Sequence, residues 1–274
     1  ASGDVFWALV LCKGSLALGC GGGAGGLDAA RGGGPPLPEE FDNLQSAVLV
    51  AVLEFATPAV VLSMERGSNT IPITVWNITL CTKRTELAHA TVCCGLPSLL
   101  LIACVRAGPA YGPGLVSFFA TMLQPELTWG SLGPISHASK ALLDEAREAA
   151  ESLSRHLAPL ASELWQYLLQ VPSSFGDFLE AQFLHDCANL AYFLPPQLAL
   201  PAAFVNACAA KLADPASLAA LCCLMGNSGV EPVEGGCLEQ ALALLAPAER
   251  SALSERLDGW RGPVRGAGFE AWAA

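Results

Sequence analysis

Charge is what this chain has least of. Only 14% of its 274 residues are Asp, Glu, Lys or Arg, against about 25% in an ordinary soluble domain. Fourteen Lys and Arg face 25 Asp and Glu, for a formal net charge of −11. A surface this short of cations argues against a phosphate-tracking groove, because nucleic-acid affinity is built largely from neutralised phosphates. Direct binding of DNA or RNA, including by helical repeats, is therefore not expected. Aromatics are also scarce, at 7%. What replaces them is small and helix-favouring: alanine and leucine make up about a third of the chain, a core material that reads all-α.

Several signatures of chemistry are missing as well. There is no P-loop, no G-x-S-x-G elbow, no C-x-x-C and no H-x-x-x-H. The eleven cysteines are odd in number, and sit singly or as the neighbours Cys93-Cys94 and Cys222-Cys223, mostly inside apolar runs. A disulfide framework places cysteines in the loops of a small secreted domain. Here the pattern predicts buried free thiols, and with them a reducing intracellular compartment, the cytoplasm or an organelle interior. The opening apolar run Val5 to Leu11 has no positive segment before it, so it is not read as a signal peptide.

Three regions are expected. Residues 1–40 combine that apolar start with a glycine run from Gly21 to Gly26, a second from Gly32 to Gly34, and Pro35, Pro36 and Pro38; chain of this kind has a high ordering entropy and reads as an extension or linker. Residues 41–125 are helical. Asp42 or Asn43 caps a helix running to Pro58, and Thr70 to Cys81 fits a helix better than the strand its Ile71, Ile73, Val75 alternation also allows. An apolar block from Leu87 to Val105 follows, and Gly108, Pro109, Gly112 and Pro113 interrupt the chain before Leu115 to Leu123.

Residues 126–274 form the third region. Its clearest element runs from about Ser139 to Gln170, with Leu142, Ala146, Ala150, Leu153, Leu157, Leu160, Leu164 and Leu168 on one face and a kink at Pro159. Shorter helices are predicted from a Ser174 cap to Leu194, from Pro195-Pro196 to Leu212, from Asp214-Pro215 to Met225, from Leu238 to Leu245 and from Pro247 to Leu257, with Gly226-Asn227-Ser228-Gly229 ending the third. The expected architecture is an irregular α-solenoid or a bundle of short antiparallel helices.

Trp76-Asn77-Ile78-Thr79-Leu80-Cys81, followed thirteen residues on by Gly95-Leu96-Pro97-Ser98-Leu99-Leu100, resembles armadillo or HEAT-type repeats across residues 44–124. In that family a helix bearing Trp and Asn leads through a loop into a Gly-x-Pro-x-Leu turn. The Trp and Asn of an armadillo repeat lie about a turn apart and clamp an extended peptide. Trp76 and Asn77 are adjacent and point apart on a helix, so the resemblance implies helical stacking, not the peptide-binding ladder.

Three constellations carry the residue types of chemistry. The glycine run from Gly21 to Gly26 satisfies G-x-G-x-x-G by composition, but Leu27 to Arg31 is too short for the helix that must face a pyrophosphate. His89 and Cys93 lie four apart, as ligands on a helix do, yet no further residues complete a tetrahedral set, and both read as core. His185-Asp186-Cys187 holds a thiol and a base, but neighbours on a helix diverge by about 100° and cannot relay a proton between them. Asn77-Ile78-Thr79 is an acceptor sequon among large apolar residues, where burial is expected. No catalytic, cofactor-binding or metal residue is assigned, and no cofactor or small-molecule ligand is expected.

The shortage of charge then predicts a non-enzymatic helical scaffold or accessory subunit, its poorly solvated surface buried against other protein subunits in an obligate complex. Two alternatives stand beside it. One is an integral membrane protein, because Leu87 to Val105 is nineteen uncharged residues, enough to cross about 30 Å of hydrocarbon as a helix, and Cys187 to Ala210 is uncharged too. The other is an enzyme with a dispersed active site.

Overall fold

A computed structural model describes residues 85–123, 137–176, 179–194, 202–212, 215–228 and 246–258. Among them 88% are helical and none lies in a strand, so the fold class is all-α. The chain forms two compact units, Ala1–Leu160 and Ala161–Ala274. The linker expected over 1–40, the helices expected over 41–81 and 238–245, and the regional boundary at 125/126 lie outside the described residues.

In the first unit the apolar block beginning at Leu87 is not one helix but two. Helix α1 (Thr85–Cys93) and helix α2 (Leu96–Ala107) meet at an angle of 81°. Gly95 makes the corner: its φ of 61° and ψ of 33° are left-handed, its N–H donates to the Val92 carbonyl at 2.9 Å, and Pro97 sits in the first turn of α2. A residue with a Cβ would pay about 1–2 kcal/mol for that conformation. Gly108 ends α2 with a different backbone, φ 106° and ψ 176°, and its N–H donates to the Cys104 carbonyl at 2.9 Å. A short 3₁₀ turn, Pro109–Tyr111, then leads into α3 (Gly112–Leu123).

Helix α3 has no charged residue and buries every residue from Leu115 to Leu123 except Ser117. A helix apolar all round belongs in a core. Helix α4 (His137–Leu157) is its opposite, burying Ala146, Ala149, Ala150, Leu153 and Leu157 while Asp144, Glu145, Arg147, Glu148, Glu151 and Arg155 are exposed. It packs against α2 and α3. Pro159 does more than kink the predicted 139–170 helix. It has no N–H and clashes with the preceding turn, so α4 ends in a 3₁₀ segment, Ala158–Leu160. Side chains of its last turn reach carbonyls one turn back: Arg155 Nε donates to the Glu151 carbonyl at 3.3 Å, and His156 Nδ1 lies 2.8 Å from that of Ser152.

The second unit opens with α5 (Ala161–Leu168) and a 3₁₀ turn, Val171–Ser174. Ser174 does not cap the next helix. Its hydroxyl donates back to the Val171 carbonyl at 2.7 Å, and α6 (Ala181–Phe193) starts seven residues later, with Glu180 at its N-cap. Lys211 holds the intervening segment, donating from Nζ to the carbonyls of Phe175 (2.9 Å) and Gly176 (3.0 Å) while its own carbonyl accepts from Leu179 N–H at 2.9 Å. Lys211 lies just beyond α7 (Ala202–Ala209).

Helix α8 (Pro215–Ser228) packs along α6 and also touches α7 and α9 (Pro247–Asp258). It buries Ser217 through Met225 without a break, and its Ala219, Ala220, Cys222 and Cys223 let the neighbouring backbones approach closely. The expected stop at Gly226 does not occur. Asn227 donates from Nδ2 to the Ala188 carbonyl of α6 at 2.8 Å, and Ser228 donates to the Leu224 carbonyl at 2.7 Å, so the helix runs on to Ser228. At α9 the Ala246 N–H donates to Glu249 Oε2 at 2.7 Å, the side-chain half of a capping box. Four aromatic rings join α5, α7, α6 and the 171–176 turn: Trp165 to Phe204 at 6.2 Å, Phe204 to Phe183 at 6.3 Å, and Phe183 to Phe175 at 5.4 Å between centroids.

Candidate functional site

The residues singled out for chemistry fall in two places. The first is α6, where a polar stripe repeats at helical spacing. Gln182 donates from Nε2 to Asp186 Oδ1 at 2.9 Å, and Asn189 Nδ2 lies 2.9 Å from His185 Nδ1. His185 Nδ1 is also 3.8 Å from Asp186 Oδ1. The stripe runs inward, from exposed Gln182 to fully buried Asn189. The Oδ1 of Asn189 has no partner among the described residues, a cost of about 1–3 kcal/mol for a buried acceptor.

This arrangement does not join His185 to Cys187. The imidazole bonds one turn along the helix, to Asn189. The Cys187 thiol is fully buried, and burial first, then Cys208 and Asp186 beside it, push its ionisation well above the ordinary thiol value. A thiolate is the nucleophile, so Cys187 serves packing. Burial raises the thiols of Cys104, Cys208 and Cys223 in the same direction and holds that of Cys222 at about 12.

The second place is α1. Contrary to what their apolar setting predicts, His89 and Cys93 do not lie in the core; both are exposed. Leu87, Ala88, Ala90 and Thr91 take the buried face instead, because the helix has enough apolar positions to fill it without them. Cys93 is the one exposed thiol among the seven described cysteines, all of them free. No group of three or more His, Cys, Asp or Glu able to hold a metal occurs among the described residues.

The stretches read as membrane spans are not continuous helices. The first is bent at Gly95, and in the second α6 ends at Phe193 with Leu194 extended (φ −79°, ψ 151°). No single helix among the described residues is long and apolar enough to cross a membrane. The glycine run 21–26, Trp76 and the Asn77 sequon lie outside the described residues. Comparison of the chain with family descriptions, with curated proteins and with solved structures gives no match.

Proposed function

We propose that this chain is a non-enzymatic helical scaffold or accessory subunit whose under-charged surface is covered by partner proteins. One observation carries the reading: from Thr85 to Leu123 only Glu86 and Arg106 are charged. Leu99, Ile102 and Val105 on α2 are half exposed, with Pro109, Tyr111 and Pro113 beyond them also half exposed. Obligate interfaces are more apolar than ordinary surface. The stacking implied by the armadillo or HEAT resemblance suits this role, since stacked helices present long continuous surfaces.

A second reading, insertion of this region in a membrane, is favoured by the bent pair α1–α2, which together has the length and composition of a span. A photo-reactive residue placed at Ile102 separates the two in cells. Covalent adducts with protein chains at Ile102, absent when the probe stands at exposed Glu148 on α4, are the expected result. Adducts with lipid alone, or none, contradict the scaffold.

A further inference from the structure

We propose that His89 and Cys93 form half of a divalent-metal site of the zinc class, completed by the same two residues of a second copy of this chain. The two side chains stand one turn apart on the exposed face of α1, the i, i+4 spacing at which a helix presents two ligands to a single ion. Thiolate and imidazole together favour a borderline-soft cation over magnesium or calcium. As each metal–sulfur bond forms, the Cys93 thiol proton passes to solvent.

Glu86 lies on the same face, three residues before His89, and adds negative potential there. It is about 10 Å along the helix axis from Cys93, too far to share the ion. With no third ligand in reach among the described residues, one chain fills two of the four tetrahedral positions. Two chains about a two-fold axis supply Cys₂His₂, a closed structural set. The approach is electrostatically permitted despite the net charge of −11. The carboxylates exposed on α4 are absent from α1 and α2, where Glu86 and Arg106 are the only charges between Thr85 and Ala107.

The test titrates cobalt(II) into the chelator-treated full chain, kept dispersed in mild detergent. The expected result is a thiolate-to-cobalt charge-transfer band saturating at one ion per two chains, with a metal-dependent doubling of mass. C93S and H89A each remove the band and the mass change while leaving the helical circular dichroism intact. C94S, whose thiol is buried, keeps both. No charge-transfer band, a band that survives C93S or H89A, or saturation at one ion per chain without a change of mass overturns the proposal.

Discussion

Raising the pH from neutrality to about 10 strongly destabilises the Ala161–Ala274 unit, because four of its thiols are neutral when folded and ionised when not. Burial lifts Cys187, Cys208, Cys222 and Cys223 above the ordinary value of 9.0. A group whose folded value is raised holds its proton in the native state while the unfolded chain releases it. Stability is thus complete below pH 9 and falls as the pH climbs toward the folded values, with Cys222 reaching about 12. Each such thiol costs the fold about 1.4 kcal/mol per pH unit in that window. One unit above the unfolded value, the four together cost about 6 kcal/mol, comparable with the whole stability of a domain at about 5–15 kcal/mol. In the Ala1–Leu160 unit burial raises the Cys104 thiol in the same direction. Alkylation followed residue by residue in a mass spectrometer, beside helical circular dichroism, reads the effect. All four cysteines become reactive together as helicity falls near pH 10; a unit still helical and unlabelled at about pH 11 contradicts the assignment.

Phe204→Ala costs the same unit about 3–5 kcal/mol. Phe204 is fully buried and stands at the centre of the aromatic series, touching Trp165 on one side and Phe183 on the other. Truncation leaves a void between three helices whose backbones are already held elsewhere, by Lys211 over the 175–179 segment and by Asn227 on Ala188. The walls cannot collapse far into it, so the cost lies at the upper part of the range. Phe204→Leu retains most of the volume and costs about half as much. Urea unfolding followed through helicity gives both values; a loss below about 1 kcal/mol for the alanine variant shows a ring that is not part of a packed core.

The local punctuation of this fold was legible in the sequence because it is backbone chemistry. Gly108-Pro109, Pro159, Pro215 and Pro247 each break or open a helix where the chain says they should, since a missing N–H or a left-handed φ acts whatever surrounds it. Tertiary effects were not legible. Gly226-Asn227-Ser228 has the composition of a stop, but the Asn227 amide finds a carbonyl 39 residues away and the helix continues. Ser174 has the composition of a cap, but its hydroxyl is taken by its own 3₁₀ turn. The break at Gly95-Leu96-Pro97 was legible as a turn, but its 81° angle was not, because neither glycine nor hydropathy carries an angle. The exposure of His89 and Cys93 was missed for a related reason: in a helix with more apolar residues than its buried face can hold, periodicity does not decide which face turns inward.

In the proposed scaffold, neighbouring molecules rather than water cover much of this surface. Sedimentation velocity of the full chain by itself, in detergent-free buffer over a range of concentrations, examines that idea with the fewest intermediate steps. Self-association or precipitation at all but the lowest concentrations, relieved when partner subunits are co-expressed, is the outcome the account predicts. A single monomeric species that stays dispersed and melts cooperatively would contradict it.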